Sequence, residues 1–78
     1  MQKNFLIYPN PAQESIIVKT QDDETFIELF NVLGEKVYST KVSSNNFLID
    51  ISEFKNGLYT AVFSSKLNYD VVKLMIAH

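Results

Sequence analysis

The feature that most constrains the fold of this chain is a series of short apolar segments, separated at short intervals by turn-forming residues. Ile27 and Leu29 alternate with Glu28, which is the period-2 pattern of a strand buried on one face. No segment carries a convincing apolar repeat of 3.6 residues. We therefore predict seven strands, at residues 4–8, 15–20, 25–31, 36–41, 46–51, 58–65 and 69–77.

The segments between these strands contain the residues that turns require. Pro9 and Pro11 have a fixed φ and no amide hydrogen, so we expect both outside the sheet ladder or at its edge. Gly34 can take a positive φ in the turn after the third strand. We expect Gly57 to take a backbone conformation that a β-carbon would strain, where the turn of residues 52–56 meets the sixth strand. Asp50 is expected to cap that turn through side-chain to backbone hydrogen bonds.

The number and spacing of the strands predict a seven-stranded antiparallel β-sandwich that forms a single domain over residues 1–78. The sequence has no cysteine and no tryptophan, so "immunoglobulin-like" describes the architecture only. The absence of cysteine fits either a reducing cytosol or a secreted domain held together by packing alone. Alternation predicts a core made of ten residues: Ile16, Val18, Ile27, Leu29, Ile49, Ile51, Phe54, Tyr59, Ala61 and Phe63.

Composition argues against several classes of function. The formal net charge is −2, the seven lysines are scattered and there is no arginine, whereas nucleic-acid binders carry a clustered basic face. No apolar stretch reaches the roughly 18 residues of a membrane span. Residues 1–8 are far too poor in apolar residues for a signal peptide, so we expect any export signal on sequence upstream.

The sequence offers little material for catalysis or cofactor binding. His78, the single histidine, is the last residue, where order is least expected, and no cysteine is available as a nucleophile. We predict no enzymatic activity, no cofactor and no metal. Two alternatives remain. One is a Ca²⁺ site at residues 22–24, although a solvated hairpin turn is the simpler interpretation of these residues. The other is a glycan-stacking platform made of tyrosines. Those tyrosines are Tyr8, Tyr38, Tyr59 and Tyr69.

Four short motifs follow one another along the chain. Residues 8–11 read Tyr-Pro-Asn-Pro after an apolar segment, and a later apolar strand leads through Asn31 to Gly34. Residues 49–52, Ile-Asp-Ile-Ser, precede Gly-Leu-Tyr at 57–59, and Lys73 stands before three apolar residues. In these motifs and their order, over residues 5–76, the chain resembles the type A C-terminal sorting domain of the type IX secretion system of the Bacteroidetes.

The resemblance implies a sorting signal rather than a catalyst. Such a domain folds in the periplasm behind an N-terminal cargo, and an outer-membrane translocon recognises it and exports the cargo to the cell surface or beyond. A sortase-like surface peptidase then removes the domain and joins the cargo to a surface anchor, or releases it. The resemblance thus implies a monomeric fragment of a larger secreted protein, with these sorting-motif residues: Pro9, Asn10, Pro11, Gly34, Asp50, Gly57, Tyr59 and Lys73.

The last strand is the part of the chain that we expect the export machinery to recognise. Many members of the family end with a further Lys or Arg, whereas this chain ends Ala77-His78, which leaves Lys73 as the candidate cation. Alternation places Val71, Lys73 and Met75 outward and Val72, Leu74 and Ile76 toward the core. We expect an edge or near-edge strand, which offers backbone groups for pairing and a cation for an acidic partner site. The alternative is a sandwich module that acts as a spacer, an adhesion unit or a glycan-binding unit.

Overall fold

The computed structural model describes residues 5–21, 24–43 and 46–78, and it contains seven strands in two sheets. The strands are β1 (Phe5–Tyr8), β2 (Ser15–Thr20), β3 (Thr25–Phe30), β4 (Lys36–Val42), β5 (Asn46–Asp50), β6 (Gly57–Ser65) and β7 (Tyr69–Ile76). The predicted seven-stranded all-β fold is confirmed, and the described strand ends lie within one residue of prediction. The predicted start of the first strand at Asn4 lies outside the described residues. Within the described part of the chain, no helix could cross a membrane.

The two sheets have the orders β1-β2-β5 and β4-β3-β6-β7, and neighbouring strands run antiparallel. Side chains from both sheets form a single buried cluster between them. Nine of the ten predicted core residues are buried, while Phe54 is half-buried and packs against the edge of the cluster. Leu74 and Ile76 are buried as alternation predicted, and Val72 is half-buried against the cluster. Four further buried apolar residues are Phe5, Ile7, Ala12 and Val42.

Contacts between the sheets are aromatic and polar as well as aliphatic. The ring of Phe5 in β1 stacks on the ring of Phe63 in β6, with the ring centres 5.3 Å apart. The hydroxyls of Thr20 and Thr25 form a buried hydrogen bond of 2.9 Å. This bond satisfies both polar groups inside the core, where an unpaired hydroxyl would be destabilising.

Strand pairing places three connections at the same end of the sandwich. Ser15 is paired with Asp50, Phe30 with Thr60, and Gly57 with Ile76. The loops at 9–14, 31–35 and 51–56 and the chain's last residues therefore lie together. We call this end of the sandwich the motif end, because the turn residues of the sequence motifs lie there.

Candidate functional site

The motif end brings together residues that are far apart in the sequence. Pro9, Asn10 and Pro11 follow β1, Gly34 lies in the turn between β3 and β4, and Asp50 ends β5. Both Xaa-Pro bonds, before Pro9 and before Pro11, are cis. Neither proline has a partner in the sheet ladder, as expected from the missing amide hydrogen. Gly57, Tyr59 and Lys73 complete the predicted set and lie on β6 and β7.

Residues 10–12 lie along the outer edge of β7, and we call them the strap. The Asn10 Nδ2 donates to the Lys73 carbonyl at 2.9 Å, and the Met75 amide donates to the Asn10 Oδ1 at 3.0 Å. The Ala12 amide donates to the Met75 carbonyl, and the Ala77 amide donates to the Ala12 carbonyl, each at 2.8 Å. The amide side chain of Asn10 thus takes the place of one more residue of a neighbouring strand.

The strap corrects one expectation about β7. We expected a strand whose backbone groups are open for pairing, but four hydrogen bonds from the strap occupy its outer edge between Lys73 and Ala77. The sequence could not show this, because Ala12 carries no motif and its pairing with Ile76 spans most of the chain. Bonds of this kind contribute about 0.5–1.5 kcal/mol each to stability.

Gly57 and Tyr59 hold the turn between β5 and β6. Gly57 has a φ of +150°, a conformation that disfavours residues with a β-carbon. The hydroxyl of Tyr59 donates to the Lys55 carbonyl at 2.7 Å. Its ring also packs on Phe54, with centres 5.9 Å apart, and Phe54 in turn packs on Tyr38. Tyr59 therefore joins the turn to the core through both its ring and its hydroxyl.

Asp50 starts the same turn with a hydrogen bond to its backbone. The Ser52 amide donates to the Asp50 Oδ1 at 2.9 Å. This backbone bond, aided by the Ser52 side chain, lowers the pKa of Asp50 below its ordinary value, since both favour the charged carboxylate. The expected capping role of Asp50 is confirmed.

Gly34 occupies a turn that Asn31 organises. The Asn31 Oδ1 accepts hydrogen bonds from the amides of Leu33 and Glu35, each at 3.0 Å, and its Nδ2 donates to the Glu35 carboxylate. Gly34 has a φ of +83°, as expected for the glycine of such a turn. Asn31 was not among the predicted site residues, although the Asn-x-x-Gly spacing in the sequence is the signal that identifies it.

The last residue is tied to two loops of the motif end. The His78 amide donates to the Asn56 Oδ1 at 2.9 Å. One ring nitrogen lies 2.6 Å from the Phe54 carbonyl, and the other contacts the Gln13 carbonyl. Sequence reasoning expected little order at this terminus and did not single out Asn56. These contacts depend on tertiary structure, so no local sequence pattern predicts them.

Lys73 lies on the outer face of the four-stranded sheet, where it is exposed as predicted. Its Nζ donates to the Thr60 Oγ1 on the neighbouring strand at 3.2 Å. Leu58, Val71 and Met75 flank it on the same face and are each 40–45% exposed. The arrangement is a single cation within a small apolar area, next to the edge that the strap covers.

The described residues offer no grouping that suggests other chemistry. Within the described ranges, no three His, Cys, Asp or Glu side chains are placed to hold a metal ion, and Asp22 and Asp23 of the candidate Ca²⁺ turn lie outside those ranges. The four tyrosines do not form one platform. Tyr59 is buried, and Tyr8 and Tyr69 lie on different sheets.

Comparison with known protein families matches residues 6–77 to the secretion system C-terminal sorting domain. No curated protein sequence gives a significant match. The family match covers nearly the whole chain and agrees with the order of the motifs gathered at the motif end. The family consists of sorting signals rather than catalysts, and it marks proteins for export to the cell surface or the medium. The chain belongs to the family of secretion system C-terminal sorting domains, and its function is that of a sorting signal for type IX secretion.

Proposed function

We propose that residues 1–78 form one monomeric sorting domain at the end of a larger secreted protein, and that the domain has no catalytic activity of its own. Its partners in this proposal are the outer-membrane translocon of the type IX system and a sortase-like surface peptidase. The translocon exports the cargo that precedes the domain in the chain. The peptidase then removes the domain and anchors or releases the cargo. The family match over residues 6–77 supports a partner within the type IX machinery.

Within this domain, we propose that the machinery recognises the face of the β6–β7 pair around Lys73. The supporting observation is the exposed Lys73 between Leu58, Val71 and Met75. A cation in a small apolar area suits a partner site with one acidic group and an apolar rim. Of the other predicted motif residues, Asn10 is bound to β7, and Gly57 and Tyr59 shape the start of β6, the two strands that carry this face. Pro9, Pro11, Gly34 and Asp50 shape the neighbouring turns.

The test is export of a periplasmic reporter fused to the N-terminus of this domain, in a host that has a type IX system. Lys73→Glu is expected to reduce the reporter at the surface and in the medium. Its folding should stay close to wild type, because an exposed charge contributes little to stability. Lys19→Glu is the matched control, since Lys19 is an exposed strand lysine on the opposite sheet.

Equal export of the wild type and both variants would contradict the role of Lys73, while loss of export in both variants would point to net charge alone. Truncation before Val72 would be a poor substitute for this test. It would remove Leu74 and Ile76, which are fully buried, so a folded truncated domain is not expected.

A further inference from the structure

The outer edge of β7 is closed over its C-terminal half. In an antiparallel pair, alternate residues direct both backbone groups to the same neighbour, and in β7 the residues facing away from β6 include Lys73 and Met75. The strap satisfies the Lys73 carbonyl, both backbone groups of Met75 and the amide of Ala77. Two residues before Lys73, the Val71 amide donates to the Asp70 Oδ1 at 2.8 Å.

The strap is held to β7 by hydrogen bonds and by few apolar contacts. Within it, Pro11 has no amide hydrogen to donate, and the side chains of Asn10 and Pro11 are exposed. Ala12 is the one residue of the segment that is buried, and its side chain is a single methyl group. Lifting the strap would therefore break four hydrogen bonds but would expose little apolar surface, whereas separating the sheets would expose the whole core cluster.

Proteins open first where few apolar contacts resist opening. We propose that the strap is a releasable cover, which lifts while both sheets remain folded and uncovers the edge of β7 from Lys73 to Ala77. The occupant of the uncovered edge is an extended segment of the export machinery, paired through its backbone as an added strand. This proposal rests on the sorting function proposed above.

While it is closed, the strap also keeps the edge of β7 from pairing with unintended strands. An uncovered edge strand can pair with any other unpaired strand, including one from a second copy of the chain. Val71, Lys73 and Met75 alternate onto the outer face beside that edge, so a partner that adds a strand also meets the face around Lys73. The backbone would supply the pairing, and Lys73 would supply the selectivity.

Amide hydrogen exchange of the isolated domain tests whether the strap opens. In the wild type, we expect the amides of Met75 and Ala77 to exchange at least about tenfold faster than those of Leu74 and Ile76, which face β6. Asn10→Ala should accelerate exchange at Met75 by a further factor of about ten, because the amide loses its acceptor. Asn31→Ala is the matched control, since it removes a comparable set of amide side-chain bonds from a different turn.

Identical exchange rates at all four amides of the wild type would overturn the proposal, because the strap would then open only when the domain unfolds. Equal acceleration by Asn31→Ala would also overturn it, since the effect would then reflect general destabilisation. This measurement needs no export machinery, so it stands independently of the proposed function.

A covalent lock tests whether opening is required for export. Ala12 and Ile76 are paired across the strap and β7, both are buried, and the chain has no cysteine of its own. Adjacent strands lie about 4.8 Å apart, within the range that a disulfide spans. The double variant Ala12→Cys with Ile76→Cys should, when oxidised, fold and export the reporter at least about tenfold less than either single variant, because the edge stays covered.

Export of the oxidised double variant at the level of the single variants would overturn the proposal. If the wild-type fusion itself were not exported, the sorting function would fail instead, and the exchange result would still decide whether the strap opens. Should the double variant fail to fold, the exchange comparison of Asn10→Ala with Asn31→Ala still decides whether the strap opens, and a strap that does not open would overturn the proposal.

Discussion

Short polar side chains shape the backbone at three of the turns near the motif end. Asn10, Asn31 and Asp50 each present a side-chain oxygen to a main-chain amide. Asn31 and Asp50 act within their own turn, as such residues commonly do, whereas Asn10 reaches a strand 63 and 65 residues away. The same chemistry is therefore local in two cases and tertiary in the third.

Asp50 predicts a dependence of stability on pH. Its folded pKa is lowered by the Ser52 amide, so its contribution is complete above the unfolded value, about pH 4, and is lost as the pH falls through the lowered folded value. Asp50→Asn keeps the acceptor oxygen and removes the charge. Urea unfolding at a series of pH values should show a wild-type advantage at neutral pH that shrinks below about pH 4. A difference that is constant across that range would contradict this assignment.

Gly57 provides a test of backbone strain without steric crowding. A β-carbon at Gly57 would meet no atom within 4 Å, yet its φ of +150° is one that side chains disfavour. We expect Gly57→Ala to lower the free energy of unfolding by about 1–3 kcal/mol with an unchanged denaturant slope. D-alanine at position 57, in a synthetic chain, should remove most of this loss because it prefers positive φ. If the two alanine forms were equally destabilising, the cause would not be φ.

At the scale of elements, β6 and β7 join the core of the four-stranded sheet to its outer edge. β6 lies between β3 and β7 and buries Tyr59, Ala61 and Phe63. β7 is the last strand of its sheet, but β6 on one side and the strap on the other leave it paired along both edges near its end. A strand that is last in its sheet is thus protected in the manner of an interior strand.

Phe63 is the element-scale test of the core. It is fully buried and stacks on Phe5 of the other sheet. Phe63→Ala is expected to lower the free energy of unfolding by about 3–5 kcal/mol, because it leaves a cavity between the sheets. Phe63→Leu should lower the free energy of unfolding much less. A double-mutant cycle of Phe63→Leu with Phe5→Leu should give a coupling free energy of about 0.5–1.5 kcal/mol. An additive cycle in chemical denaturation would show that the ring contact contributes nothing beyond burial.

At the scale of the whole molecule, the two sheets share one core and cannot lose it separately. We expect equilibrium unfolding in urea to be a single transition, with a slope of about 1 kcal/mol per molar for a chain this small. Far-ultraviolet circular dichroism and tyrosine fluorescence should give coincident curves. The strap involves three residues, so its opening would not register in the circular dichroism. Separate transitions for the two probes would contradict a shared core.

The sequence by itself determined the strands and the face that each one buries. Side chains alternate with period 2, so the core of β3 and β6 and the outward position of Lys73 follow from local patterning. Gly34, Gly57 and Asp50 were also predictable, because each acts within a few residues of its own position. Phe54 was predicted to be buried but is half-buried, because it lies in a turn where strand alternation does not apply.

Tertiary structure alone decided how the motifs come together. The strap lies on β7 because Asn10 and Ala12 find backbone partners more than 60 residues away. The contacts of His78 with Gln13 in one loop and with Phe54 and Asn56 in another arise in the same way. Backbone hydrogen bonds are the same for every residue type other than proline, so a sequence shows that β7 needs partners without showing which segment supplies them. The order of the sheets settles that question, because it places the edge of β7 beside the chain that leaves β1.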